Sequence, residues 1–136
     1  MTTITGGCLC GDVRYAYEGE VGPAGYCHCS DCRHVSGSAF GISVRVAASD
    51  FRIVAGAPSR FTKRGDSGRE VSRFFCGACG SPLYTLPPRH PEVVFIKAGS
   101  LDDPSVVKPD REAWTRSRVD WAEIDPAVAA TETGRG

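Results

Sequence analysis

The sequence predicts a small, mainly β domain with little helix. Several short segments alternate between apolar and polar residues, which is the period of a strand with one buried face. Clusters of glycine and proline separate these segments, as is typical of turns. At 136 residues the chain is long enough for one domain with its own core. We expect that single domain over residues 1–125, followed by a frayed tail over residues 126–136.

The elements follow one another along the chain with short connections. The first clear alternation covers residues 12–18, where Val13, Tyr15 and Tyr17 share one face. Ser30 and Asp31 are favourable N-cap residues, so a short helical turn is expected to follow them. Further strands are predicted over residues 26–29, 40–46, 51–53, 60–64, 70–75, 82–86 and 93–98. A hairpin loop is predicted at residues 65–68, and the last of these strands is almost wholly apolar.

Charge and hydropathy exclude several classes of protein. The chain has 16 basic and 16 acidic residues, a balance that argues against a protein built to bind nucleic acid or an anionic membrane. No apolar run approaches the about 20 residues of a membrane-spanning helix. Residues 1–5 lack the basic and apolar regions of a secretory signal, so we expect a cytoplasmic protein. These features do not predict an oligomeric state.

Seven cysteines fall into close groups rather than being spread along the chain. Because seven is an odd number, a fully paired set of disulfides within one chain is excluded. Cys8 and Cys10 are two residues apart, so on a strand both sulfurs lie on the same face. Cys76 and Cys79 have the C-x-x-C spacing that is the commonest half of a zinc site. The remaining three form a C-x-C-x-x-C run: Cys27, Cys29 and Cys32.

This division into four and three predicts two zinc ions per chain, one structural and one catalytic. Four thiolates close a tetrahedral site, whereas three leave one position for water or substrate. The four-cysteine site would join distant parts of the chain, so we expect loss of its metal to unfold the protein. The three-cysteine site would hold the working metal.

Other arrangements of the cysteines remain open. The pair at 29–32 could combine with the pair at 76–79 in a ribbon-type site, although the connecting segment exceeds the about 15–20 residues usual there. Asp31 or His34 could close the three-cysteine site as a fourth ligand. The four cysteines could also be buried, reduced thiols without metal. His28 lies on the opposite strand face from its neighbouring thiols, so we expect a surface or core residue rather than a ligand.

The charge of a three-thiolate zinc site indicates its chemistry. Such a site carries a net charge of −1, so it is a weaker Lewis acid than zinc held by three neutral histidines. It is better suited to binding a small thiol as a fourth thiolate, which requires nearby positive charge. Residues 60–73 contain five basic and two acidic residues and could supply that charge, or could simply form a solvated hairpin.

Four motifs stand out: GCLCG at 7–11, YCHCSDCR at 26–33, FCGACGSPLY at 75–84 and GSLDDP at 99–104. They resemble those of the glutathione-dependent formaldehyde-activating enzyme family, which also includes the domain of centromere protein V. The resemblance covers about residues 4–122. It implies an Mss4-like β-tent fold, with structural zinc at Cys8, Cys10, Cys76 and Cys79 and catalytic zinc at Cys27, Cys29 and Cys32. The chain departs from the pattern at Glu112, where the family leads us to expect a histidine.

The resemblance implies a zinc-dependent carbon–sulfur lyase that acts on adducts of glutathione with an aldehyde, of the S-hydroxymethylglutathione synthase type. Its small-molecule partners would be glutathione and an aldehyde such as formaldehyde. Cys27, Cys29 and Cys32 would hold the metal, and His34 or a nearby basic residue would handle the hydroxyl proton. The alternatives are a non-enzymatic zinc-binding interaction module and a thiol redox enzyme on the same fold, which needs an accessible cysteine of low pKa free of metal.

Overall fold

Two β-sheets make up most of the chain in this computed structural model, which describes residues 2–64 and 68–134. The strands in chain order are β1 (Thr2–Gly7), β2 (Arg14–Gly19), β3 (Ala24–Cys27), β4 (Gly41–Ala47), β5 (Phe51–Ala55), β6 (Ser59–Arg64), β7 (Glu70–Phe75), β8 (Pro82–Leu86), β9 (Val93–Lys97), β10 (Arg111–Ala113) and β11 (Ala129–Ala130). A three-stranded sheet has the order β1-β2-β5, and an eight-stranded sheet has the order β11-β10-β3-β4-β9-β8-β7-β6.

The predicted mainly β fold with little helix is confirmed. Among the described residues there is one α-helix, α1 (Ser30–Ser36), which lies where a helical turn was expected. Its N-cap is Cys29, whose Sγ accepts a hydrogen bond from the backbone N–H of Cys32, rather than Ser30 or Asp31. Three residues of the predicted hairpin loop, 65–67, lie outside the described residues. No described helix is both long enough and apolar enough to cross a membrane.

The larger sheet is antiparallel except at one edge. β10 pairs in parallel with both β3 and β11. Parallel neighbours require a long connection, and β3 and β10 are separated by most of the domain in sequence. The backbone N–H of Thr131 also donates to the carbonyl of Glu112 at 3.0 Å, so the described part of the expected tail is hydrogen-bonded to the sheet. The domain boundary at residue 125 remains a prediction.

Aromatic residues join the two sheets in a shared core. On the inner face of the larger sheet, the strand register aligns four residues across β7, β8, β9 and β4: Phe74, Tyr84, Ile96 and Val44. The rings of Phe74 and Tyr84 stack 4.6 Å apart, and Phe51 of the smaller sheet lies 4.8 Å from Tyr84. Tyr15 of β2 is fully buried 5.4 Å from Phe51. This aromatic contact positions β1 and β2, and with them Cys8, against the larger sheet.

The other side of the larger sheet, which we call the outer face, carries several polar residues as well as Phe95. The same registers place five residues on it: Gly41, Ser43, Lys97, Thr85 and Arg73. α1 lies over the end of this face at Gly41, where an added Cβ would be 3.4 Å from the Cβ of Cys32. The strand pairing therefore places a row of polar side chains beside the start of the helix.

Candidate metal centres and the adjoining cavities

Four cysteines from two distant segments meet in one cluster, as the sequence predicts. The sulfurs of Cys8, Cys10, Cys76 and Cys79 all lie within 4.8 Å of one another. The Sγ–Sγ distance is 3.6 Å from Cys8 to Cys10 and 3.7 Å from Cys10 to Cys76. Four sulfurs at about 2.3 Å from a tetrahedral zinc are about 3.8 Å apart, whereas disulfide sulfurs are about 2 Å apart. The geometry of this four-cysteine cluster thus fits a metal ion and excludes disulfides.

Tight backbone turns orient these four sulfurs, and hydrogen bonds lower the pKa of Cys8 and of Cys79. The N–H groups of Val13 and Cys79 donate to the sulfurs of Cys8 and Cys76 at 3.2 and 3.5 Å. The hydroxyl of Ser81 lies 3.2 Å from the sulfur of Cys79 and lowers the pKa of Cys79 to about 5. Gly80, at φ 81°, takes the left-handed conformation that closes the C-x-x-C turn. The donors around these sulfurs suit a ligand set that binds metal as thiolates.

The second cluster contains the other three cysteines at the junction of β3 and α1. The sulfurs of Cys27, Cys29 and Cys32 lie within 4.8 Å of one another. Thiol hydrogen bonds from Cys27 and then Cys29 lower the pKa of Cys32, while contacts with Cys29 and then Cys32 raise the pKa of Cys27. The lowered pKa of Cys32 favours a thiolate, and the raised pKa of Cys27 favours a protonated thiol.

No fourth His, Cys, Asp or Glu ligand joins this three-cysteine cluster within the described parts of the chain. His34 is exposed on α1, and its Nδ1 donates to the carbonyl of Ser30 at 2.8 Å. The carboxylate of Asp31 pairs instead with the ammonium of Lys63, with Oδ1 and Nζ 2.6 Å apart. The ribbon-type arrangement of 29–32 with 76–79 is also not formed. The chain thus brings its cysteines together as a set of four and a set of three.

A cavity of about 650 Å³ is lined by residues of both clusters. We call it the triad cavity, because Cys32 of the three-cysteine cluster lines it, together with Cys8 and Ser81. Lys97 also lines it, and its Nζ donates to the hydroxyl of Ser43 at 3.2 Å. Burial lowers the pKa of Lys97, and the negative charge of Cys32 offsets part of that decrease. The sequence analysis did not single out Lys97, although a lysine that ends an otherwise apolar strand was the available signal.

A smaller cavity of about 310 Å³ adjoins the first. We call it the aromatic cavity, because four aromatic residues line it: Phe61, Phe74, Phe75 and Tyr84. It shares Val35, Pro82 and Lys97 with the triad cavity. Arg73 and Thr85 of the outer face also line it. The two cavities therefore meet at Lys97.

The family model for glutathione-dependent formaldehyde-activating enzymes matches residues 3–117. The chain belongs to this family. A protein of Halomonas elongata is named as a provisional glutathione-dependent formaldehyde-activating enzyme. It is 30% identical to this chain over 128 residues, which cover 90% of this chain and 81% of the relative. A crystal structure of a Rhodobacter sphaeroides protein matches with a TM-score of 0.58 and 27% identity, covering 72% of this chain and 87% of that one. The resemblance seen in the motifs is confirmed.

Within this member of the formaldehyde-activating enzyme family, Glu112 occupies the position where we expected a histidine. Glu112 is buried in β10, and its Oε1 lies 2.8 Å from Nε2 of His28. His28 is fully buried and packs edge-on against Phe40, with ring centroids 5.5 Å apart. Its Nδ1 has no hydrogen-bond partner among the described residues. His28 is thus a core residue, and Glu112 joins β10 to the strand that carries Cys27 rather than lining either cavity.

Proposed function

We propose that this chain is a zinc-dependent carbon–sulfur lyase that forms or cleaves adducts of glutathione with an aldehyde, of which S-hydroxymethylglutathione is the formaldehyde case. One observation carries the proposal. The three-cysteine cluster has no fourth ligand within the described residues, and Cys32 lines a cavity of about 650 Å³. A cavity of this size accommodates a small-molecule substrate. Family membership and the name of the Halomonas elongata relative support glutathione and formaldehyde as the substrates.

The chemistry of the two donor sets supports different roles for two zinc ions. Cys8, Cys10, Cys76 and Cys79 provide a complete tetrahedral set, which suits a structural ion. Cys27, Cys29 and Cys32 provide three thiolates, which suits a catalytic ion with one open position. When bound there, zinc would supply a position for the substrate thiol as a thiolate whose sulfur remains nucleophilic.

We assign the proton step to Lys97, which lines the same cavity as Cys32. In adduct formation, the glutathione sulfur bonds to the aldehyde carbon and the π electron pair of the carbonyl moves to its oxygen. The Lys97 ammonium then gives that oxygen its proton, which yields the hydroxyl of the adduct. In the reverse direction the Lys97 amine takes the hydroxyl proton, the carbonyl reforms and the carbon–sulfur bond breaks.

His34 is the other candidate for this proton step. Its side chain is exposed, its Nδ1 is engaged by the Ser30 carbonyl, and it does not line the triad cavity. We therefore expect Lys97→Met to lower the rate of adduct exchange about a hundred-fold, which is the range of general acid–base catalysis. His34→Gln should retain most of the activity. If His34→Gln loses the activity and Lys97→Met retains it, His34 rather than Lys97 carries out the proton step.

The test is adduct exchange measured by NMR on purified, zinc-loaded protein. Glutathione and formaldehyde exchange with their adduct without enzyme, so the measured quantity is the acceleration at equal substrate concentration. We expect the zinc-loaded protein to accelerate exchange, and we expect this acceleration to disappear when Cys29→Ser removes one ligand of the three-cysteine cluster. If the zinc-loaded protein neither accelerates exchange nor binds glutathione, the proposed function is wrong.

A further inference from the structure

The amine of Lys97 differs from the other lysine amines of the chain in its position and its partners. The chain has three lysines, of which Lys63 and Lys108 are exposed on the surface. Lys97 is half-buried and lines both cavities. Among the described residues it forms no ion pair, and its Nζ has one hydrogen bond, to the hydroxyl of Ser43 at 3.2 Å. A primary amine, which is a nucleophile, therefore faces enclosed space without a carboxylate partner.

The groups around this amine suit a reaction with a carbonyl compound. Four aromatic residues line the aromatic cavity, and none of the described residues that line it is acidic. Asp102 lines the triad cavity, but its carboxylate is paired with the guanidinium of Arg14. Arg73 adds a second positive charge to the aromatic cavity. Lysines in apolar surroundings or beside another cation are the ones that enzymes use to form covalent bonds with carbonyl carbons.

The hydroxyl of Thr85 supplies a second, independent observation. Its Oγ1 is buried and has no hydrogen-bond partner among the described residues. Buried hydrogen-bonding groups in native proteins are nearly always paired, so a partner from outside the chain is expected. Thr85 lies opposite Phe95 of β9, so Lys97, two residues farther on the same face, is its diagonal neighbour. A carbonyl oxygen whose carbon lies at the Lys97 amine could therefore accept from this hydroxyl.

We propose that Lys97 captures an aldehyde covalently in the aromatic cavity, with the aldehyde oxygen hydrogen-bonded to the hydroxyl of Thr85. The amine nitrogen bonds to the carbonyl carbon, and the π electron pair moves to the oxygen. A proton passes from nitrogen to that oxygen, which gives a carbinolamine. The carbon–oxygen bond then breaks, and the oxygen leaves as water after it takes a proton from solvent, so that an iminium ion remains.

This capture requires neither a thiol nor a redox reagent. Counted from the ammonium form of Lys97 and free aldehyde, the conversion replaces one cation by another and releases water. The negative charge of a three-thiolate zinc site would therefore stabilise the starting ammonium and the final iminium alike. The inference rests on the proposed function for the aldehyde as substrate class, and it adds a covalent role for Lys97 to the proton step. An iminium carbon is more electrophilic than a carbonyl carbon, so the captured aldehyde is activated.

The experiment traps the iminium on zinc-loaded, full-length protein without glutathione. Formaldehyde and sodium cyanoborohydride convert a lysine iminium to N-methyl-lysine, and peptide mass spectrometry measures the methylation rate at each lysine. Lys63 and Lys108 are internal controls, and the side chain of Lys63 is 51% exposed. We expect Lys97 to be methylated at least about ten-fold faster than either, because the cavity holds the aldehyde beside the amine. Exposure alone predicts the reverse order, so equal or slower methylation of Lys97 would overturn the proposal.

A pair of threonine variants tests the contact with the aldehyde oxygen. Thr85→Val should slow methylation of Lys97 by about three- to ten-fold and leave the two exposed lysines unchanged. Thr62→Val is the matched control, because the Thr62 hydroxyl lies 2.9 Å from that of Ser72 on the surface and lines neither cavity. Circular dichroism checks that both variants are folded. If the two variants have equal effects on Lys97, the assigned contact with Thr85 is wrong.

The NMR assay of adduct exchange separates this inference from the proposed function. Fast methylation of Lys97 in a protein that does not accelerate exchange would support aldehyde capture and contradict the lyase. Accelerated exchange in a protein whose Lys97 is methylated no faster than Lys108 would overturn the capture. The lyase would then stand, with Lys97 acting in proton transfer alone.

Discussion

Removal of the Glu112 carboxylate should destabilise the fold, because this group is the partner of a fully buried histidine. Glu112 Oε1 and His28 Nε2 are 2.8 Å apart, with side-chain exposures of 5% and 0%. In Glu112→Ala, both ring nitrogens of His28 would lack a protein partner among the described residues. Water does not readily replace the carboxylate, because β10 and β3 pack directly against each other in register.

The magnitude follows from the burial of the pair. If the pair is a neutral hydrogen bond, its loss and the unpaired buried nitrogen together cost about 2–4 kcal/mol. If the pair is ionic, leaving one buried partner alone costs about 3–5 kcal/mol. We therefore expect Glu112→Ala to lower the free energy of unfolding by about 2–5 kcal/mol in either case. Glu112→Gln retains an acceptor oxygen and should lose less.

The assay is urea unfolding of zinc-loaded protein, followed by circular dichroism at equal metal content. Glu92→Ala is a matched control, because Glu92 also pairs with a histidine, with Oε1 3.1 Å from Nδ1 of His90, but on the surface. Its side chain is 62% exposed, so we expect no measurable change in the unfolding midpoint. If Glu112→Ala loses no more stability than Glu92→Ala, the buried pair does not hold β10 against β3 and the reasoning is refuted.

Two further predictions concern the metal clusters and the pH dependence of stability. Cys76→Ser should abolish cooperative unfolding, whereas Cys29→Ser should leave a folded chain with one metal ion instead of two. Circular dichroism and metal analysis measure these outcomes. Equal effects of the two variants would contradict separate structural and catalytic roles for the two clusters. Asp102→Asn removes a carboxylate that accepts from both Arg14 and Thr5, which should cost about 0.5–1 kcal/mol at neutral pH for so exposed a pair. Because the Arg14 guanidinium lowers the pKa of Asp102 from 3.8 to about 2, the contribution is present above pH 3.8 and is lost as the pH falls toward 2. Acid unfolding should therefore show the two proteins converging near pH 2, and a difference that widens with acid would count against the ion pair.

Local patterns predicted the strands and the two groups of cysteines because both depend on residues that are close in sequence. The alternation of Val13, Tyr15 and Tyr17 identified the buried face of β2 and of the residue that precedes it, all three being buried. β1 was not predicted, because Ile4 is its single large apolar residue and its stability comes from pairing with β2. The cap of α1 differed from expectation, because the Cys29 sulfur competes with the nearby polar residues for the free N–H groups.

The sequence by itself determined that the chain is mainly β and that its cysteines divide into four and three, since the C-x-C and C-x-x-C spacings orient sulfurs within a few residues. Only the tertiary structure decided which other side chains line the two cavities near the three-cysteine cluster. Lys97, Thr85 and Arg73 lie on three different strands, and Glu112 reaches His28 through a parallel pairing between distant segments. Strand order and register depend on how the two sheets pack around the aromatic core. That packing is a property of the whole chain and leaves no signature at any one of these residues.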